Sequence, residues 1–303
     1  MDISDAKDAA GAKEISGTKD VAGTKDVANA NANANASGTG NGQPKFRVKD
    51  LSFGYGGEPV QHDVSFEIKP RSIFAIMGGS GCGKSTLMKT MIGLLRPKTG
   101  TILVDDEDYW DAAEERRTEI GHRFGVMFQS GALWSSMTAE ENVALPLRMF
   151  TGLDDAAIVA LARLKLSLVG LDKAGSVMPS DLSGGMRKRV GIARALALDP
   201  EVLFLDEPSA GLDPVSSKRL DDLILELRDG FGVTVIMVSH ELPSLFAICD
   251  DGIFLDAVSK TPIAHGAPKD LRETSPLPAV RAFMRRERLE DGTNPKEAAR
   301  HGP

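Results

Sequence analysis

Short runs of apolar residues recur along the chain, separated by segments whose apolar positions repeat at helical spacing. Four of these runs predict buried strands, at 73–77, 124–128, 202–205 and 233–238. In one intervening segment, Leu220, Leu223, Ile224 and Leu227 form one face of a predicted helix that ends at Gly230. Buried strands that alternate with helices predict an α/β fold with a mainly parallel sheet core.

The segment before the first long run predicts two strands, at 46–53 and 64–68, joined by a turn at Tyr55-Gly56-Gly57. Shorter apolar runs predict further strands, near 101–104, 253–255 and 263–265. An acidic loop, 105–108, is expected after the first of these.

The strand pattern is interrupted over about 130–195, where the sequence predicts an inserted α-helical subdomain. Thr138 and Glu141 form a capping-box pattern that opens its first helix, which Pro146 is expected to kink or end. Asp154 is the expected cap of the second helix.

The third helix of this subdomain is expected to begin after Ser183 and to stop at Asp199-Pro200. It carries the basic cluster Arg187-Lys188-Arg189. We interpret this cluster as a solvated helix face, and a binding patch is the alternative.

Composition divides the chain into three parts. Residues 1–44 are of low complexity and predict a disordered tail, with a tether for a partner as the alternative. Residues 45–272 are predicted to form the folded domain. Residues 273–303 predict a C-terminal extension whose helix, at about 279–289, is followed by a polar end.

Charge and hydropathy restrict the class of protein. The net charge of −7 is mixed along the chain, so nucleic acid is not expected as a partner. Cys82 and Cys249, far apart in sequence, favour a reducing compartment without disulfides. There is no membrane-spanning run and no signal pattern. We therefore expect a cytoplasmic protein that reaches a membrane only through partners.

The strongest chemical signal is a glycine-rich stretch between the strand at 73–77 and a predicted helix. Its residues are Gly78, Gly79, Ser80, Gly81, Cys82, Gly83, Lys84, Ser85 and Thr86, and they fit the pattern G-x-x-x-x-G-K-[ST]. Backbone N–H groups of such a loop cradle phosphates, the lysine reaches the β- and γ-phosphates, and the Ser85 hydroxyl holds Mg²⁺. The sequence therefore predicts a nucleoside triphosphate and Mg²⁺ as ligands.

Cys82 lies within this loop, at the start of the helix. A helix N-terminus lowers a thiol pKa, which makes a redox-sensitive cysteine one hypothesis. A small loop-filling side chain is the interpretation we favour.

Polar residues at the ends of other strands predict the rest of the site. Asp206 and Glu207 end one buried strand, where Asp206 is expected to hold Mg²⁺ and Glu207 to polarise the attacking water. His240 ends a neighbouring strand and is expected to contact the γ-phosphate or the water. Gln129 follows the strand at 124–128, at the edge where parallel sheets bind ligands.

Ser183, Gly184 and Gly185 form a second helix start suited to an anion. Two such starts about a hundred residues apart predict two half-sites. A head-to-tail homodimer would close Ser183 of one copy over the nucleotide of the other.

Together these motifs resemble the nucleotide-binding subunit of an ATP-binding cassette (ABC) transporter, over residues 46–272. The resemblance implies a P-loop NTPase fold with an antiparallel β subdomain. It also implies that Tyr55 stacks on the base and that Gly78 to Thr86 bind the phosphates. Gln129 would take part in catalysis and bind the metal, and His240 would be the switch histidine. Leu182 to Gly185 would form the signature, and Asp213 would belong to the D-loop. Met186 departs from the usual signature glutamine.

The stretches 128–134, 141–147, 182–186 and 238–243 resemble, more specifically, the ATPases of the Mla/MCE phospholipid-transport family. This implies an integral-membrane permease, an MCE-domain protein and a small STAS-type subunit as partners, and a location at the cytoplasmic face of the inner membrane. Two alternatives remain: the ATPase of another importer for amino acids or other small solutes, and a non-transport ABC ATPase that acts on DNA or the ribosome.

Overall fold

The computed structural model describes residues 43–287. Its strands, in chain order, are β1 (Phe46–Phe53), β2 (Gln61–Ile68), β3 (Ile73–Gly78), β4 (Thr99–Val104), β5 (Glu107–Asp108), β6 (Phe124–Met127), β7 (Val202–Asp206), β8 (Thr234–Val238), β9 (Asp251–Leu255) and β10 (Pro262–His265). Its α-helices are α1 (Lys84–Met91), α2 (Glu114–His122), α3 (Ala139–Phe150), α4 (Asp155–Leu168), α5 (Gly184–Ala195), α6 (Pro214–Phe231), α7 (Leu242–Ile248), α8 (Pro268–Thr274) and α9 (Pro278–Arg285).

The strands form two sheets. A six-stranded sheet has the order β10-β9-β3-β8-β7-β6, in which every pair is parallel except that of β10 with β9. A four-stranded antiparallel sheet has the order β2-β1-β4-β5. The predicted α/β class, with a mainly parallel core and a separate antiparallel sheet, is confirmed.

The parallel sheet is buried on both faces, which explains its continuous apolar sequences. Leu203 and Leu205 of β7 lie in one apolar cluster, and Phe204 between them lies in the cluster on the other face. The first cluster continues into the inserted helices through Val143 and Val190. The inserted helices therefore share a core with the sheet.

Several predicted helix ends are wrong. The helix predicted to end at Gly230 runs to Phe231 and is capped by Gly232 in the left-handed conformation. At Pro146, where a kink or an end was predicted, helix α3 continues to Phe150, and Leu147 directly after the proline remains packed in the core. The capping box of Thr138 and Glu141 is confirmed.

Other differences concern short elements. Part of the predicted acidic loop is the two-residue strand β5, and α2, α7 and α8 had no counterpart in the sequence prediction. In the C-terminal extension, α9 ends at Arg285. Residues 288–303 and the predicted tail at 1–42 lie outside the described residues.

The predicted solvated face at Arg187-Lys188-Arg189 is wrong. Each of these side chains donates to backbone carbonyls: Arg187 to Leu182, Lys188 to Glu207 and Ala210, and Arg189 to Val169. They serve to join α5 to neighbouring loops because the helix is packed on several sides. Over residues 43–287, the helices are too short or too polar to cross a membrane.

An ion network ties the first strand to the edge of the parallel sheet. Lys45 Nζ lies 2.8 Å from Asp105 and 2.5 Å from Glu201, and Arg123 pairs with the same two carboxylates. Burial opposes the ionisation of Glu201, but hydrogen bonds from Arg123 and Lys45 outweigh it and lower the pKa of Glu201 from 4.5 to about 2.

We expect Glu201→Gln to reduce the free energy of unfolding at pH 7 by roughly 1–2 kcal/mol, a value discounted because over a third of the side chain is exposed. The folded pKa of Glu201 lies below the unfolded one. Its contribution is therefore full above pH 4.5 and is lost as the pH falls to about 2. Urea unfolding of the wild type and of Glu201→Gln from pH 7 to pH 3 measures the difference between their free energies of unfolding, which should become smaller as the pH falls.

Asp222→Asn is the control, because the one ion pair that Asp222 forms within residues 43–287 is an exposed pair with Lys218. It should change the free energy of unfolding by less than about 0.5 kcal/mol. A Glu201→Gln effect that is equally small, or that is independent of pH, would contradict the proposed contribution of the network.

Candidate functional site

The glycine-rich loop leaves the end of β3 and enters α1 in a conformation that requires glycine. Gly78 has φ +141°, and an added Cβ would lie 2.3 Å from the carbonyl oxygen of Leu255 and 2.6 Å from Cys82 Sγ. Gly83, just before α1, has φ +102°. An added Cβ at Gly79, by contrast, meets nothing within 4 Å. The loop is therefore tightly packed at Gly78 and open at Gly79.

Two polar side chains of the loop contact the loop backbone and β7, which lies two strands away from β3 in the sheet. Lys84 Nζ donates to the carbonyl oxygens of Gly78 (3.0 Å) and Gly79 (2.9 Å). Ser85 Oγ donates to Asp206 Oδ1 at 3.3 Å. A hydroxyl and a carboxylate from distant parts of the chain thus meet beside the loop, as the sequence predicted.

Asp206 and Glu207 differ in their surroundings. Asp206 is 8% exposed, and burial raises the pKa of its carboxyl group against the opposing hydrogen bond from Ser85. Glu207 Oε1 accepts a hydrogen bond from His240 Nδ1 at 2.8 Å. Glu207 Oε2 is buried and has no hydrogen-bond partner among the described residues. One oxygen of Glu207 is therefore held, and the other retains its capacity to accept a proton.

Tyr55 and Gln129 lie at the surface. The Tyr55 ring is 59% exposed, and its hydroxyl accepts a hydrogen bond from Lys89 on α1 at 3.3 Å. Gln129 is exposed at the start of a 3₁₀ turn. The next three residues, Ser130, Gly131 and Ala132, all have positive φ. Arg194 on α5 holds this unusual turn by donating to the carbonyls of Gly131 and Ala132.

The predicted second half-site lies apart from the loop within one chain. Ser183 caps α5 by accepting from the amide of Met186, and Gly184 and Gly185 adjoin Leu212. Asp213 caps α6 through the amides of Val215 and Ser216. In the described part of the chain, no hydrogen bond connects these residues with the loop at 78–86. They form a second surface, which one chain alone does not bring to the first.

The hypothesis of a lowered Cys82 pKa is wrong. Cys82 is 1% exposed, and its burial raises the pKa of the thiol more strongly than Lys84 lowers it. The side chain fills the space under Gly78, which matches the loop-filling interpretation.

Gln61, which was not predicted as a site residue, supports the glycine-rich loop through its side chain. Gln61 is fully buried at the start of β2, and its Nε2 donates to the carbonyls of Cys82 (2.8 Å) and Asp256 (2.7 Å). The predicted strand began at residue 64, so Gln61 fell in a loop without a distinguishing signal. It links the four-stranded sheet to the glycine-rich loop.

The donor set suits a nucleoside triphosphate with Mg²⁺. Oxygen ligands are those that Mg²⁺ prefers, and Ser85 and Asp206 supply a hydroxyl and a carboxylate beside each other. The space above Gly79 admits a phosphate close to the backbone. Lys84 supplies the positive charge at the same place.

The comparison with protein families agrees with this chemistry. A family model described as ABC transporter matches residues 61–210. The intermembrane phospholipid transport system ATP-binding protein MlaF of Escherichia coli (strain K12) is 39% identical over 237 residues, 78% of this chain and 87% of that protein. A Mycobacterium leprae (strain TN) protein named "Probable ribonucleotide transport ATP-binding protein mkl" is 37% identical over 242 residues, 80% of this chain and 69% of that protein.

Solved structures show the same architecture. The structure of cbiO1 from Clostridium perfringens, part of the ABC transporter complex cbiONQ, has a TM-score of 0.68 and 29% identity and covers 75% of this chain and 90% of that chain. The dimeric ATP-binding cassette MJ0796, in a post-hydrolysis state bound to ADP and Pi, has a TM-score of 0.66 and 28% identity and covers 73% of this chain and 97% of that chain.

The two neighbouring glycines at the start of the loop provide a matched test of its packing. We expect Gly78→Ala to reduce the free energy of unfolding by roughly 3 kcal/mol or more without nucleotide, because its methyl group meets backbone. Gly79→Ala should change it by less than about 0.5 kcal/mol. Chemical denaturation of the nucleotide-free protein compares them, and equal effects would contradict the described loop conformation.

Proposed function

This chain is an ATP-hydrolysing member of the ABC transporter family, and on that premise we propose that it drives the movement of phospholipid between membranes. The observation that carries the ATPase part is the meeting of three strand ends. The loop after β3, the acidic pair after β7 and His240 after β8 join through the Ser85–Asp206 and Glu207–His240 hydrogen bonds.

In this proposal, the backbone of residues 78–86 and Lys84 hold the phosphates of ATP. Ser85 and Asp206 hold Mg²⁺, with Gln129 as a further ligand from the neighbouring loop. When bound, Mg²⁺ neutralises charge on the β- and γ-phosphates. Tyr55, exposed at the surface, stacks on the base.

Glu207 is the proposed general base. A water attacks the γ-phosphorus, the bond to the bridging oxygen of ADP breaks, and the Glu207 carboxylate accepts the proton of the water. His240 holds Oε1 and so fixes the direction of the carboxylate. ADP and inorganic phosphate are the products.

A homodimer completes the site. Ser183, Gly184, Gly185 and Asp213 lie on a surface that has no bond to their own chain's loop, so a second copy brings them to the nucleotide. The dimeric form of the related MJ0796 cassette supports this arrangement. ATP favours the closed dimer and hydrolysis the open one, which is a population shift driven by differential binding.

Exposed apolar side chains in the segment after Gln129 and at the end of α3 are the proposed contact with an integral-membrane permease. Trp134 is 58% exposed, and Met149 and Phe150 at the end of α3 are 64% and 52% exposed. Large apolar side chains left exposed in this way are typical of protein interfaces. The subunit would thereby lie at the cytoplasmic face of the inner membrane, with an MCE-domain protein and a small STAS-type subunit in the same complex.

The proposed transported substrate rests on relatives whose names differ in the substrate they give. MlaF of Escherichia coli is named for phospholipid transport, as is MlaF of Haemophilus influenzae at 37% identity, whereas the Mycobacterium leprae protein is named for ribonucleotide transport. Phospholipid is favoured because the stretches at 128–134 and 141–147, beside the proposed permease contact, resemble the lipid-transport ATPases.

We expect Glu207→Gln to bind ATP but to lower kcat by roughly 10²–10⁴-fold, because a general base is lost. Steady-state phosphate release and equilibrium ATP binding measure the two effects. Glu201→Gln is the matched control, because Glu201 and Glu207 flank the opposite ends of β7. It should leave kcat unchanged below its unfolding temperature, and near-normal turnover of Glu207→Gln would remove Glu207 from its proposed role.

The substrate is tested on the complete complex, purified through the tagged chain from gently solubilised native membranes. We expect mass spectrometry to identify a permease, an MCE-domain protein and bound phospholipid. In reconstituted vesicles, the complex should release labelled phospholipid from the vesicles when ATP is present. A complex that carries Glu207→Gln should not release it. A solute-binding protein or nucleotide uptake instead would contradict lipid transport, and ribosomal or DNA-bound partners would contradict transport altogether.

A further inference from the structure

Lys188, on α5, is a buried cation close to the proposed catalytic base. It is 6% exposed, and its ammonium donates to the carbonyl oxygen of Glu207 at 3.1 Å and to that of Ala210. Both partners are backbone atoms of the loop that follows β7. A helix of the inserted subdomain thus holds the chain directly at Glu207.

The placement of this cation is energetically unfavourable in itself. Burial lowers the pKa of Lys188, and the negative charges of Glu207 and Glu241 only partly oppose this. An apolar side chain of similar length would avoid the desolvation cost. Lys165 on α4 shows the usual solution for an equally buried lysine (5% exposed), because its ammonium pairs with the Asp199 carboxylate.

The backbone at Glu207 explains why a donor is placed there. Glu207 has φ +52°, a left-handed conformation that non-glycine residues rarely adopt. Its amide donates to the carbonyl of Val238 at 2.9 Å, and its carbonyl accepts from Lys188. These two hydrogen bonds fix the peptide groups on both sides of Glu207. A left-handed backbone conformation at such a residue persists only when its surroundings hold it.

We propose that Lys188 is a positioning residue for Glu207, which holds the strained Glu207 backbone so that the carboxylate points into the site. This inference rests on the proposed role of Glu207 as general base. Lys188 reaches the Glu207 main chain through its ammonium group. It therefore acts on the orientation of the base without being part of the nucleotide-binding loop.

The test uses the full chain and three variants. Lys188→Met keeps the length of the side chain and removes the donor, and Lys188→Arg restores donors and charge. Lys165→Met is the matched control, because it removes an equally buried lysine whose ammonium pairs with the Asp199 carboxylate and not with the Glu207 backbone. Thermal unfolding of each protein sets an assay temperature at which all are folded.

The first readout is kinetic. We expect Lys188→Met to lower kcat by roughly ten- to a hundredfold, because a small misplacement of a catalytic group is costly. The KM for ATP should stay within about twofold, because Lys188 does not touch the loop at 78–86. Lys188→Arg should recover most of the lost kcat, and Lys165→Met should keep the wild-type kcat.

The second readout needs no nucleotide. Amide hydrogen exchange of the segment 206–212 should become faster in Lys188→Met, since the bond of the Glu207 amide to Val238 depends on a fixed backbone. Lys165→Met should leave exchange in this segment unchanged. Unchanged exchange in folded Lys188→Met, or a kcat within about twofold of wild type, would overturn the inference.

The two proposals fail in different ways. If Glu207→Gln is inactive and Lys188→Met is fully active, Glu207 keeps its role and only the positioning by Lys188 is wrong. If Glu207→Gln turns over normally, the proposed base is wrong whatever Lys188→Met does. A loss of kcat in Lys165→Met equal to that in Lys188→Met would assign the effect to general destabilisation and overturn the inference.

Discussion

The pairing register of β3, β8 and β7 is the constraint on which the site depends. Ile76 of β3 pairs with Val238 of β8, and Val238 pairs with Asp206 of β7. Because both faces of this sheet are buried, polar groups emerge only where the strands end. The register therefore brings the phosphate loop, the acidic pair and His240 to one edge. If the pairing of β7 with β8 shifted by one residue, Asp206 would move into the apolar core.

Three strands leave this edge through a strained or glycine-dependent turn. Gly78 has φ +141° after β3, Glu207 has φ +52° after β7, and the turn after β6 contains consecutive left-handed residues at 130–132. Such conformations persist only when neighbouring groups hold them. Two of the three are held by one helix, since α5 supplies Lys188 to the turn after β7 and Arg194 to the turn after β6.

The sequence predicted the parts of the site that depend on local pattern. A strand, a glycine-rich loop and a helix follow one another at 73–91. The sequence assigned Ser85 and Asp206 to one metal and His240 to the strand next to that of Glu207, and the structure joins each of these pairs by a hydrogen bond. Lys188 was misinterpreted because helical spacing separates an apolar face from a polar one but does not show which backbone carbonyls a polar side chain reaches. Gln61 was missed for the same reason, since its partners lie 21 and 195 residues away.

Helix α5 of the inserted subdomain contacts several parts of the proposed site. The start of this helix, at Ser183, belongs to the surface that one chain does not bring to its own loop, whereas the next two turns contact Glu207 and the turn after Gln129. A packed helix moves as a rigid element, because the interior around it is as dense as a crystal. We therefore expect a displacement at Ser183 to reach the backbone of the proposed base and the Gln129 turn together. One helix would then connect the proposed neighbouring copy, the proposed catalytic edge and the proposed permease contact.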